Sequence, residues 1–195
     1  MVQIPKQKLG SGSTLSVFLV WGVVIGCPVA HAQKVNKDAQ TLADFQARAA
    51  EYVKVHDKAR FGIPSAKGNG SAEAVSGHEK QLAGRIRSLR PAAKHGDIFT
   101  PAISAEFRRL AKITSQGSSG KHVETSLVRS EPVQLPIHVN AAYPTSVPLQ
   151  STPPTLLQNL PPLPKELEYR LVGHHLVLRD IEANLIVDYV DNFTR

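Results

Sequence analysis

The chain has a single cysteine, Cys27, in 195 residues, one tryptophan, one methionine and an aromatic content of only 6%. One thiol cannot make an intramolecular disulfide, and Cys27 lies in a segment expected to be removed or acylated. Neither a disulfide framework nor a cysteine nucleophile is therefore expected in the mature protein. No Gly-x-Ser-x-Gly elbow, phosphate-cradling glycine loop or dinucleotide fingerprint occurs, and Gly117-Ser118-Ser119-Gly120 has the spacing of none of them. His78-Glu79 opens like a zinc-protease helix motif, but Leu82 stands where the second histidine would be. The one uncharged hydrophobic run, Leu15 to Gly26, is shorter than the ~20 residues a membrane-crossing helix needs.

That run carries the first positive signal. Lys6 and Lys8 precede it, and Pro28 leads into Ala30-His31-Ala32, an A-x-A cleavage pattern, so residues 1–32 read as a signal peptide. A second reading stays open. Val24-Ile25-Gly26-Cys27 resembles a bacterial lipobox, which would lipidate Cys27 and place the protein on a membrane.

Gln33 to Arg195 leaves 163 residues, enough for one domain. Its charge is divided. Gln33 to Lys121 holds sixteen basic and eight acidic side chains, and the remainder holds five and eight. Solvated helix faces and attraction between the two halves explain this. An anionic envelope polymer bound through Arg85, Arg87 and Arg90, or another envelope protein, is the functional version. Nucleic acid is not expected, because export removes the usual target and no recognition motif is present.

Residues 33–116 read as three amphipathic helices. Thr41 is the expected N-cap of the first, with Leu42, Phe45, Ala49, Tyr52, Val53 and His56 as its apolar stripe, an Asp44–Arg48 pair, and Gly62-Ile63-Pro64 as its stop. The second starts at Ser71 or Ser76, with Val75, Leu82, Ile86 and Leu89 facing inward, and ends at Pro91. Thr100-Pro101 opens the third, with Ile103, Phe107 and Leu110 as its stripe. Residues 117–164 form a Gly/Ser linker and a stretch holding nine of the fourteen prolines. That stretch excludes helix and allows an edge strand from Val133 to Tyr143.

Residues 165–195 alternate as a β-meander with strands at Glu168–Val172, His175–Arg179 and Leu185–Val190. Gly173-His174 suits a two-residue turn with positive φ at the glycine. That turn sets Leu171 opposite Leu176, Tyr169 opposite Leu178, and Glu168 opposite Arg179. A four-residue loop from Asp180 to Ala183 would then set Leu178 opposite Leu185 and Leu176 opposite Val187, leaving the other sheet face wet. The fold class is α+β: three helices, a proline-rich extended segment and a small antiparallel meander.

Asp180, Glu182, Asp188 and Asp191 crowd one end of that meander. Such carboxylates can do acid–base work, but at a sheet end they are expected to keep an edge soluble. His174 and His175 are neighbours pointing to opposite faces, with His175 expected opposite Asp188. A charge pair explains that arrangement, and a metal site at His174, His175 and Asp188 would still want another ligand. Pro161-Pro162-Leu163-Pro164, Tyr169-Arg170-Leu171-Val172-Gly173, Leu176-Val177-Leu178 and Leu185-Ile186-Val187-Asp188 resemble the C-terminal module of periplasmic nickel/cobalt-homeostasis proteins. Ala183-Asn184 stands where that module has a Thr-Gly turn. The resemblance implies metal handling, although the family's charged, His-containing repeats are missing. Gly96-Asp97-Ile98-Phe99-Thr100-Pro101 and Leu167-Glu168-Tyr169-Arg170 resemble exported bacterial proteins from which no activity carries over.

The expected function is a non-enzymatic exported envelope protein with a binding or scaffolding role, without a cofactor. The alternatives are periplasmic nickel, cobalt or zinc binding, and a hydrolase whose site is assembled from scattered residues.

Overall fold

A computed structural model describes residues 36–65, 71–116, 136–144, 152 and 154–193. The leader at 1–32 with its Cys27 alternative, the loop at 66–70, the linker at 117–120 and the start of the expected edge strand at 133–135 lie outside the described residues.

Helix α1 spans Lys37–Arg60 and starts four residues before the expected cap. The Asn36 side chain accepts a hydrogen bond from the Asp38 N–H at 3.1 Å. Thr41 therefore sits one turn inside, donating its hydroxyl to the Lys37 carbonyl at 2.9 Å. Two good cap residues compete here, and the upstream one wins because it adds a turn with Asp38 near the positive helix end. Phe45, Ala49, Tyr52, His56 and Ala59 form the buried line. Gly62, at φ +74°, turns the chain out as expected.

Helix α2 spans Ala72–Leu89 and takes Ser71 as its cap, with Oγ accepting from the Ala74 N–H at 3.1 Å. Its buried residues are His78, Leu82, Ala83 and Ile86. Val75 and Leu89, expected inside, are exposed. Helix α3, Pro101–Gln116, begins as the sequence indicates, with Thr100 Oγ1 accepting from the Ile103 N–H. A short helix α4, Pro154–Asn159, overturns the expectation that the proline-rich stretch excludes helix. Pro154 occupies the first helical position, where a missing N–H costs nothing, and Leu156 and Leu160 are buried beneath it.

The scarce aromatics gather in one place. Phe45 of α1 and Phe107 of α3 meet edge to face at 4.8 Å, Phe99 stacks on Phe45 at 5.4 Å, and Tyr169 closes the group at 6.0 Å from Phe107. Such ring pairs add ~0.5–1.5 kcal/mol each beyond their buried area. Tyr169 also donates to the Pro161 carbonyl at 3.0 Å, fixing the proline-rich lead. The helices and the sheet share this core.

Strands β1 (Leu167–Val172), β2 (His175–Asp180) and β3 (Leu185–Val190) form an antiparallel sheet in that order. The β1–β2 register is the expected one: Leu171 opposes Leu176, Tyr169 opposes Leu178, Glu168 opposes Arg179, and Gly173 has φ +55°. The β2–β3 register is not. Asp180 pairs with Leu185, Leu178 with Asp188 and Leu176 with Val190, with a bulge between Leu178 and Arg179. Asp180 accepts from the Ala183 N–H at 2.8 Å, so the loop begins after it, and Asn184 takes the left-handed conformation. The bulge gives β3 an extra residue, so that Leu185, Val187 and Val190 all still reach the main core while Asp188 is buried too.

The second sheet face is also covered. Tyr143, Val172, Val177 and Ile186 form a separate cluster against which Ile137 and Ala141 pack. Of the expected edge strand, the described part makes one bridge, Ala142 to Leu185. It is flanked by bonds from the Asn140 N–H to the Ile186 carbonyl and from the Tyr143 N–H to the Asn184 carbonyl, both 2.8 Å.

Candidate functional site

Two of the four carboxylates expected to solvate the sheet end are instead fully buried: Asp180 and Asp188 are each 0% exposed. A buried carboxylate is stable only where donors surround it. Both have them, and the donors come from distant segments.

Asp180 ends β2 beneath α1. Tyr52 donates its hydroxyl to Oδ2 at 2.7 Å, His56 Nδ1 lies 2.6 Å from the same oxygen, and the Ala183 N–H donates to Oδ1. Tyr52 and His56 are one helical turn apart on α1's buried line, so both tips reach one acceptor. Burial pushes the Tyr52 hydroxyl far up, reinforced by the charge of Asp180 and the hydrogen bond to it; the Arg90 guanidinium, 5.0 Å over the ring, opposes this. For His56, burial alone would lower the pKa. The hydrogen bond and charge of Asp180, with Glu182 and Asp57, outweigh burial and hold it above the ordinary histidine value.

The other ring nitrogen of His56 faces Glu182 Oε2 at 3.4 Å. Glu182 sits in the β2–β3 turn and collects further partners. Arg60 Nε donates to both carboxylate oxygens at 2.8 and 2.9 Å, and His78 Nε2 lies 2.9 Å from Oε1. His78 Nδ1 is 3.0 Å from the Pro64 carbonyl. Burial would raise the Glu182 pKa, but the Arg60 and His78 hydrogen bonds and the Arg60 and His56 charges hold it below the usual carboxylate range. This cluster forms the floor of a cleft of about 600 Å³ whose walls include Asp57, Glu79 and Glu166. Val75 and Ile181, 42% and 43% exposed, supply its apolar lining.

Asp188 is an anchor of a different kind. Oδ2 accepts from the N–H groups of Ile98 and Phe99 at 2.8 Å each, and Oδ1 from those of Gly96 at 3.1 Å and Tyr189 at 2.9 Å. It folds the turn that leads into α3, where Gly96 has φ +88°. His95 stacks on Tyr189 at 4.1 Å and reaches Asp191 at 3.2 Å.

The expected pairing of His175 with Asp188 is therefore wrong. The bulge turns Asp188 toward the Gly96–Phe99 segment, and the carboxylate beside His175 Nδ1 is Asp191 at 2.9 Å. His174 sits in the β1–β2 turn, its carbonyl accepting from the Phe193 N–H at 2.7 Å. The three residues singled out for a metal are not brought together, and among the described residues no group of three or more His, Cys, Asp or Glu side chains is disposed to hold an ion.

Arg85, Arg87 and Arg90 all have acceptors within this chain. Arg85 donates to the Phe61 and Ala59 carbonyls at the end of α1, at 2.7 and 3.3 Å. Arg87 donates to the Asn140 carbonyl at 2.7 Å, and Arg90 covers the Tyr52 ring and reaches the Asn140 side chain at 3.5 Å.

Comparison of the chain with family models, with curated proteins and with solved structures finds no match in any of the three.

Proposed function

We propose that the protein is a non-enzymatic exported envelope protein that holds a small ligand in the cleft between α1, α2 and the β2–β3 turn. Export is supported by the basic start, the apolar run and the A-x-A pattern of residues 1–32. Binding is supported by one observation above all: a concavity of ligand size onto which charged side chains from three separate elements converge. The carboxylates of Asp57, Glu79 and Glu166 outnumber Lys165 in its walls and suit a neutral or cationic polar ligand with an aliphatic part for Val75 and Ile181, rather than an anionic polymer.

The non-catalytic reading rests on His56. It is the best-oriented base, yet it is 1% exposed and its outer nitrogen is covered by Glu182. The His56–Asp180 contact also favours the second reading, a hydrolase. A carboxylate-oriented imidazole is a usual acid–base device, and it would act here once Glu182 swung aside.

Two measurements test the proposal. Isothermal titration of the mature chain against neutral and cationic envelope fragments should find a ligand whose binding is lost in Ile181→Trp, which fills the cleft. Binding unaffected by that substitution would overturn the site. Turnover of any bound compound, abolished in His56→Ala, would overturn the non-enzymatic reading. N-terminal sequencing of envelope protein should begin at Gln33, and a chain starting at acylated Cys27 would make it a lipoprotein.

A further inference from the structure

We infer that His56, His78, Arg60 and Glu182 form a proton-operated latch on the cleft, in which doubly protonated imidazoles clamp the β2–β3 turn to α1 and α2 and deprotonation releases the first turns of α2 from that turn.

The argument starts from donor and acceptor roles. A carbonyl or carboxylate oxygen only accepts, so a ring nitrogen facing one is satisfied only when it carries a proton. His78 faces the Pro64 carbonyl from Nδ1 and Glu182 from Nε2, at 3.0 and 2.9 Å. His56 faces Asp180 from Nδ1 and Glu182 from Nε2, at 2.6 and 3.4 Å. Each ring thus stands between two acceptors, and its neutral form would turn a lone pair on one of them. His56 is 1% exposed, so water cannot relieve its contact, and His78, 9% exposed at the floor of the cleft, admits little.

The surroundings favour the charged rings. α1 contributes Tyr52, Asp57 and Arg60, and α2 contributes Glu79. The β2–β3 turn contributes Asp180 and Glu182, and the approach to β1 contributes Lys165 and Glu166. Carboxylates outnumber the two fixed cations among these groups, and the hydrogen bonds and charges of Asp180 and Glu182 raise His56 despite its burial.

The two halves of the latch differ. Arg60 stays charged at every working pH, so Glu182 remains tied to α1 after the imidazoles lose their protons. α2 has no such reserve. Its bond to the turn runs through His78, and that same ring ties it to Pro64. Raising the pH therefore loosens the wall formed by Val75, His78 and Glu79 while leaving α1 and the sheet in place. The latch gives a purpose to the cleft proposed above and depends on that reading for its use, not for its operation.

Amide hydrogen exchange on the mature chain, corrected for intrinsic exchange rates, tests it. Between about pH 5.5 and pH 8, protection of residues 72–80 should fall severalfold as the pH rises. Protection of α3 should stay level. In His78→Gln the dependence of residues 72–80 on pH should vanish, and in Glu182→Gln, which keeps the size and removes the charge, it should shrink. The second variant carries the test if the first does not fold. Constant protection across that range in the wild type, or an undiminished dependence in both variants, would overturn the latch. A pH-responsive α2 in a protein that binds nothing in the cleft would sink the binding reading alone, and ligand binding with an unresponsive α2 would sink the latch alone.

Discussion

Asp188→Asn is the sharpest single perturbation of the scaffold. The native carboxylate offers two oxygens, and each accepts two backbone N–H groups: Gly96 and Tyr189 on Oδ1, Ile98 and Phe99 on Oδ2. Asparagine keeps the shape but has only one acceptor. Whichever way it is flipped, its NH₂ group meets two backbone donors. Two charge-assisted hydrogen bonds are lost and two N–H groups, buried or partly buried according to the flip, lose their acceptor, at a cost of about 3 to 6 kcal/mol when each bond to an ion is worth about 1.5–3. A domain of this size has about 5–15 kcal/mol in total, so the variant should sit close to its unfolding threshold. Urea melts of wild type and variant, compared by midpoint at unchanged slope, provide the measurement. Near-UV circular dichroism should fall with them, because the Gly96–Phe99 turn places Phe99 against Phe45 and Phe107. A loss below about 1 kcal/mol, the range of an ordinary surface change, would refute the description of Asp188 as a loop anchor.

Four other outcomes follow from the same geometry. Leu178→Ala, in the sheet core, should cost roughly 2–4 kcal/mol in denaturant melts. His175→Ala, beside the half-exposed Asp191, should cost under about 1 kcal/mol, and a reversed ranking would contradict the strand register. Arg85→Ala frees the Phe61 and Ala59 carbonyls and should lower the melting temperature modestly, equivalent to about 1 kcal/mol, with no change in affinity for a heparin column beyond that of one charge. Stability should peak in mild acid. The raised His56 contributes in full below about 6.5 and loses its contribution as pH climbs through its folded value; the lowered Glu182 contributes in full above about 4.3 and loses it as pH falls. A melting temperature that is flat from about pH 4 to 8, or highest in alkali, would contradict the cluster.

Local chemistry made part of this fold readable. Gly173 between two alternating runs specifies the β1–β2 turn and its register, because only a positive φ closes it. Thr100-Pro101 likewise marks the start of α3. The β2–β3 register was not readable, since the bulge leaving Val187 and Asp188 both buried is held by backbone donors some ninety residues away. Helix starts failed where two caps competed, at Asn36 and Thr41, and the proline-rich stretch hid α4 because Pro154 breaks a helix inside it but not at its first position. The site shows the same division. His56 falls on α1's apolar stripe, so spacing alone places it in the core. A buried histidine demands an acceptor, but nothing local names Asp180 as that acceptor. Tyr52, His56 and Arg60, spaced four residues apart, are the trace that could have revealed it: three polar tips along the inward face of one helix. Asp180 and Asp188 looked like solvating charge because sequence shows a carboxylate without its donors.

The ion cluster beneath the cleft is tested most directly by ¹⁵N NMR of the His56 ring in the intact mature chain at about pH 7, where an ordinary histidine with a pKa near 6.5 is mostly neutral. Held between Asp180 and Glu182, His56 should keep both ring nitrogens protonated to a greater extent there than an ordinary histidine, and Glu182→Gln should move its titration toward the ordinary value. A His56 no more protonated at that pH than an ordinary histidine, and unchanged by Glu182→Gln, would contradict the cluster as described.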